Sequence, residues 1–467
     1  MSESTSDTRL AERPTPLPAS DVRGRRADFG AVAVVLLLVG AAVWLGLYYN
    51  RPGSGVVIYA FAPPLFGDWL PHVGPGSPFA VLIAVAVIAW GPALATRFSW
   101  RRALMLGYLA SVSWTFALAM VDGWHRGFTE RLTTDHEYLH EVPGITDIPL
   151  MLRQFSARIL DFQPHSWTTH VSGHPPGATL VFVWLDRIGL GGGAWAATAC
   201  VVVGCLITVA VPATLSLLGR PGAARAMLPF AVLAPEVIWI GVSADGLFAG
   251  VTATAIALLA LAARTTGSWY SMPLALLAGL LLGFGAFLSY GLVLLGLVAL
   301  VVGVLGRQWR VVVLAALGAL AVAGLFKLAG FWWLDGYHLV VRRYYQGIAS
   351  ARPYSYWVWA DLAALAISVG PAVIAGVRRT VGESFLVKPR RRLLADPMLL
   401  IGLAAVLTIV FADLSGLSKA EVERIWLPFA VWLLPATSLL PAAGRRSWLA
   451  AQAATALLVN HLVLTIW

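Results

Sequence analysis

Two carboxylates, a tyrosine and a histidine within one polar stretch carry the chemistry that this sequence offers. Asp135-His136-Glu137-Tyr138 follows the third apolar run, and His174-Pro175-Pro176 comes later in the same stretch, which extends from Asp122 to Gly177. A carboxylate in such a place can act as a general base and take the proton of a hydroxyl. Asp135 is the first choice for that base and Glu137 the second. Two prolines at a helix start fix φ and keep the preceding residue out of the helix, which aims His174 back toward the polar stretch. Most of the nine histidines lie in this part of the chain.

A second chemistry competes for the same residues. His136-Glu137-Tyr138-Leu139-His140 fits H-E-x-x-H, two zinc ligands one helical turn apart with a glutamate base between them. Asp135, His136, Glu137 and His140 are therefore a candidate metal set, and His170 with His174 offers further ligands. Against a zinc peptidase, Pro143-Gly144 follows too closely for the pattern to sit inside a long helix. No cofactor is certain, and a divalent metal is the one candidate.

The elements that must hold these residues are membrane helices. The chain has 467 residues, 59% of them hydrophobic and only 12% charged, with a mean hydropathy of +0.77. A soluble domain carries about twice that charge. Apolar runs separated by short basic or aromatic loops predict an all-α polytopic membrane protein and, being continuous rather than alternating, exclude a β-barrel. Candidate spans lie near 29–48, 78–96, 102–121, 194–217, 227–243, 246–264, 271–288, 291–305, 310–329, 356–377, 397–412, 425–441 and 447–466, about 13 in all. Residues 1–26 are polar and Pro-containing and are expected to be a disordered cytoplasmic tail, with 27–467 forming a single membrane domain.

The segment 177–190 is short and carries Asp186 and Arg187, so it reads as an interfacial helix. Left uncrossed, it puts most arginine-bearing loops on one side, as the positive-inside rule requires. The N-terminus is then cytoplasmic and the protein a multi-pass protein of the plasma membrane. The net charge of +10 belongs to these loops and is no sign of nucleic acid. Cys200 and Cys205 share one apolar segment and read as core residues.

This topology gathers five stretches on the external face: 50–77, 122–177, Ser243-Ala244-Asp245, 330–355 and 413–426. Arg342, Arg343 and Arg352 stand among aromatics on the face that should be poor in arginine, which points to a bound anion held by guanidinium. Glu423-Arg424 is a second such place, fitted either to hold an anion on Arg424 with Glu423 orienting it or to form a structural ion pair. Asp245, at a span's end, is placed either to bind a ligand or orient His174, or to punctuate the helix with Gly246.

An acidic element with tyrosine after an early span, followed by His-Pro-Pro leading a short apolar helix, resembles the GT-C superfamily of integral-membrane glycosyltransferases. Asp135, Glu137 and Tyr138 match its acidic element, His174-Pro175-Pro176 its H/K-P-P, and Ser243-Ala244-Asp245 resembles its Thr/Ser-x-Asp element. Here three spans precede the acidic loop where the family usually has one, and Gly177 replaces the usual leucine after H-P-P. The resemblance, nearest to protein O-mannosyltransferases and the aminoarabinose transferase of lipid A, implies an inverting transfer of sugar from a polyprenyl-phosphate donor. The acceptor would be an envelope glycan, lipid or protein. Tyr138, His174, Asp245, Arg342, Arg343, Arg352, Glu423 and Arg424 would then bind substrate. The alternatives are a transporter or flippase of a lipid-linked or anionic substrate, and the zinc peptidase above.

Overall fold

The computed structural model describes residues 19–265, 267–386 and 396–465, and the protein is built almost wholly of helices. Most of the expected tail, residues 1–18, lies outside the described residues, and the first helix begins at Ala19. The basic run 387–395 also lies outside them.

Among the described residues eight helices are long and apolar enough to cross a membrane, or up to ten if each of two bent pairs is one span. Proline and glycine account for most of the difference from the thirteen expected. The run at 356–377 breaks at Gly370-Pro371, bending Tyr354–Val369 against Pro371–Gly382 by 107°. The runs at 425–441 and 447–466 are two arms of one pair bent by 113° around Pro441. The run at 227–243 is a helix that ends at Val232 and a 3-10 turn starting at Pro235. Tyr290–Leu305 is apolar but short.

Small residues let the long helices meet backbone to backbone. A Cβ on Gly279 would come within 2.0 Å of the Ala315 carbonyl oxygen, so Ser271–Leu288 and Trp309–Leu328 pack with no side chain between them there. The helix Pro176–Arg187 has twelve residues, about 18 Å long, which is well short of the ~30 Å apolar core of a bilayer. Its residues from Pro176 to Leu180 are buried against the bundle. A Cβ on Gly177 would meet the Phe287 carbonyl oxygen at 2.4 Å, so only glycine lets this helix sit so close.

The stretches expected to share one face do come together. Gly67–Trp69 pairs antiparallel with Val463–Thr465, tying the loop after the first span to the chain's end. Asp122 joins them to the main loop, receiving His72 at 3.0 Å, Arg126 at 2.7 Å and Arg131 at 3.1 Å. Phe66 N–H donates to Glu423 at 2.8 Å, and the Asp161 N–H donates to Gln346 at 2.9 Å.

Candidate active site

Asp135 and Glu137 face opposite ways. Glu137 has an extended backbone, its N–H donates to the Thr134 carbonyl at 2.9 Å, and it caps the single turn Tyr138–Glu141. That turn drives Glu137 and Tyr138 inward and leaves Asp135 outside. The Asp135 side chain is 92% exposed and lies 3.7 Å from His140. The Glu137 side chain is 4% exposed and its Oε1 lies 3.5 Å from His170 Nε2.

The His-Pro-Pro element does what its prolines require. His174 is extended at the end of the Thr169–Gly173 helix, and Pro176 opens the next helix. Its Nδ1 lies 2.9 Å from both the Tyr138 hydroxyl and the His170 carbonyl oxygen. The Tyr138 ring is buried between His170, His174 and Phe182. His170 is fixed from the other side, its N–H donating to the His136 carbonyl at 2.9 Å.

Facing these groups is an alternating chain of charges. Asp245 stands in the first turn of Ala244–Arg264, where the Ser243 hydroxyl accepts from Gly246 N–H at 3.2 Å. Arg424 donates to Asp245 at 2.6 Å and to Glu421 at 2.6 Å. The other Glu421 oxygen accepts from Arg352 at 3.1 Å. Arg352 also donates to the carbonyls of Lys419, Ile58 and Tyr59 at 2.8, 3.3 and 3.3 Å. Ala420 and Glu421 are both left-handed, with φ of 70° and 65°, which costs roughly 1–3 kcal/mol per residue unless the surroundings impose it. Here they do. Ala420 N–H donates to Asp361 at 3.1 Å, Lys419 N–H to Tyr344 at 2.8 Å, and Lys419 Nζ to the carbonyls of Ala349 and Arg352 at 2.5 and 3.0 Å.

Glu137, Tyr138, His170, Ser243, Asp245 and Arg424 line one narrow cleft of about 10 Å³. Burial pushes the Glu137 carboxyl up to about 8; nearby Arg424 offsets this in part and Asp245 adds to it. Burial, then Arg424, holds His170 well below its ordinary value, and burial lowers His174. Burial would raise Glu421, but the Arg424 and Arg352 guanidiniums hold it below the usual range. Burial pushes Glu423 up to about 7; one of its oxygens accepts from Phe66 N–H at 2.8 Å.

The remaining arginines lie on the amphipathic helix Trp333–Gln346, in which only Gly336 is fully buried. Arg343 forms an ion pair with Asp161 and donates to the Ser172 hydroxyl at 3.2 Å. Arg342 is exposed and has no ion pair among the described residues. The candidate metal set does not gather. His136 and His140 are exposed while Glu137 turns inward, and among the described residues no three His, Cys, Asp or Glu side chains could hold a metal ion. The H-E-x-x-H pattern thus lacks the long helix that its zinc chemistry needs, since the helix there is the single turn Tyr138–Glu141.

Reading the sequence missed Glu421 and Asp161. Glu421 stands three residues before Arg424, a helical ion-pair spacing that pointed to it. Asp161 carries no local signal, since its partners lie far along the chain.

No known sequence family and no curated protein matches the chain. Two solved structures of the Archaeoglobus fulgidus oligosaccharyltransferase align with it. One is a complex with Zn and sulfate, at 13% identity and a TM-score of 0.41, covering 77% of this chain and 53% of that one. The other is tethered to an acceptor peptide containing the NVT sequon through a disulfide bond, at 13% identity and a TM-score of 0.42, covering 74% and 50%. This chain thus spans about half the length of those proteins. At such a TM-score the likeness assigns no role to any residue here.

Proposed function

We propose that this protein is an integral-membrane glycosyltransferase of GT-C type. It moves a sugar from a polyprenyl-phosphate donor to a hydroxyl of a cell-envelope glycan, lipid or protein, on the external face of the plasma membrane. The N-terminus is cytoplasmic in this reading. The observation that carries it is the cleft flanked by two buried carboxyls in different surroundings, Glu137 pushed toward neutrality by burial and Asp245 ion-paired with Arg424.

Glu137, rather than the solvent-facing Asp135, is the base. Once ionised, it takes the proton of the acceptor hydroxyl as that oxygen bonds to the anomeric carbon. The bond from that carbon to the phosphate oxygen breaks on the opposite side, which inverts the centre. Polyprenyl phosphate departs with its negative charge, so no acid is needed to protonate it. Asp245 hydrogen-bonds sugar hydroxyls, kept in place by Arg424, Glu421 and Arg352. Tyr138 and His174 close the wall of the cleft. Arg343 holds the leaving phosphate and Arg342 adds its field nearby, while Arg352 and Glu423 support the loop beneath.

The test is sugar transfer in membranes supplied with polyprenyl-phosphate sugars. Glu137→Gln is expected to lose about 10²- to 10⁴-fold, the worth of a general base, while Asp135→Asn stays within about threefold. Full transfer by both variants sinks the base assignment. Lipid movement with no transfer by the wild-type protein favours a transporter instead.

A further inference from the structure

The ion pair between Arg343 and Asp161 differs from every other arginine contact of this site. Among the described residues Arg343 meets one carboxylate oxygen and the Ser172 hydroxyl, which itself donates to the Thr169 carbonyl at 3.0 Å, and no carbonyl encloses Arg343 as three enclose Arg352. Asp161 spends its other oxygen on its own neighbour, accepting from Phe162 N–H at 2.9 Å. The Asp161 side chain is 34% exposed against 13% for Arg343, so the anion is the half of the pair that solvent reaches. Burial lowers Arg343 from its ordinary value, so a cation partly stripped of water depends on an anion beside it. Ser172 stands between His170 and His174, which puts this contact next to the cleft wall. Phe162 follows with a left-handed φ of 63° and a ring 83% exposed.

We propose that Asp161 is a built-in competitor for the anion seat at the Arg343 guanidinium, which the Ser172 hydroxyl orients, displaced when the phosphate monoester of a polyprenyl carrier lipid binds. A phosphate monoester brings more charge and more acceptor oxygens than one carboxylate oxygen, and guanidinium takes it bidentately. The exchange makes and breaks no covalent bond. Asp161 swings toward solvent, and its charge sets how tightly the carrier lipid is held. The identity of the lipid rests on the glycosyltransferase reading; the competition does not.

The experiment measures thermal unfolding of the purified full chain in detergent, titrated with polyprenyl monophosphate and, separately, inorganic phosphate. Asp161→Asn removes the charge but keeps the oxygen that receives Phe162 N–H. It is expected to reach half-maximal stabilisation at about fivefold lower lipid concentration, the size of a partly exposed ion pair, and Arg343→Gln is expected to abolish the effect. A purely structural ion pair predicts the opposite sign, with Asp161→Asn weakening the response or leaving it unchanged, and that result overturns the proposal. So does stabilisation that survives Arg343→Gln, or a wild-type protein that does not respond to the lipid. Equal tightening toward inorganic phosphate overturns the lipid source. If Asp161→Asn does not purify folded, Asp161→Ser is read in the same way, and failure of both marks a structural pair and overturns the competitor. Tightening by Asp161→Asn without sugar transfer in the wild type removes the glycosyltransferase and keeps the competitor; transfer without tightening does the reverse.

Discussion

Arg352 and Arg424 differ from Arg342 and Arg343 in what surrounds the guanidinium. The first two are buried and each held by several partners, with Glu421 shared between them, three carbonyls on Arg352 and Asp245 on Arg424. The other two ride on one amphipathic helix, Arg343 with a single half-exposed carboxylate and Arg342 open to the surroundings. A basic residue on a face that should be poor in arginine therefore has two explanations. Either it closes an internal charge network or it awaits an external anion, and burial together with the number of internal acceptors separates them.

The comparison breaks first on stability. Arg352→Gln leaves the buried Glu421 with one guanidinium instead of two and strands three carbonyls. We expect a loss of about 3–5 kcal/mol, the cost of removing one partner from a buried pair, read by SDS-induced unfolding. Arg343→Gln should cost less than about 1 kcal/mol, because its pair is partly solvated. Equal losses in the two variants would erase the distinction between network and seat.

The same contrast decides what the sequence could disclose. Uninterrupted apolar runs such as 78–96 and 246–264 became spans with almost the expected ends. Runs crossed by Gly370-Pro371 or Pro441 became bent pairs, because the period of hydrophobicity does not register a break in the helix axis. The polar loop and its Tyr138, His174 and Asp245 were legible because their motifs are local. The choice between Asp135 and Glu137 was not, since the turn at Glu137 reverses which neighbour faces the cleft. Arg352 and Arg343 looked alike in one aromatic loop; only the partners brought in from Ile58, Lys419 and Asp161 tell them apart.

The next effect is on pH. Glu137 sits at about 8 in the folded protein, above its ordinary carboxyl value. Burial raises it, Arg424 offsets that in part, Asp245 and Glu421 add to the rise, and His170 faces the carboxyl at 3.5 Å. A base must be ionised, so transfer should rise about tenfold per pH unit below 8 and level off above it. Stability runs the other way. A raised carboxyl favours the folded state fully below its unfolded value, and that contribution is lost as the pH climbs through about 8. Glu137→Gln should flatten thermal stability between pH 6 and 9 (the range is our choice, roughly bracketing the folded value). A wild-type rate independent of pH across that range would take the base from Glu137.

The smallest effect belongs to Arg342. Exposed and without an ion pair among the described residues, it adds no internal contact whose loss would lower the unfolding temperature. Its field still reaches a phosphate held by its neighbour Arg343, so Arg342→Gln should raise the KM for the lipid donor roughly threefold at low salt, the scale of one exposed charge contact. That field is screened within about 3 Å at 1 M ionic strength. The difference between variant and wild type should therefore vanish as salt is added, whereas the Arg343→Gln defect, on a partly buried cation, persists. A donor defect in Arg342→Gln that ignores salt would mean that Arg342 touches the ligand directly, and the seat would then consist of both arginines.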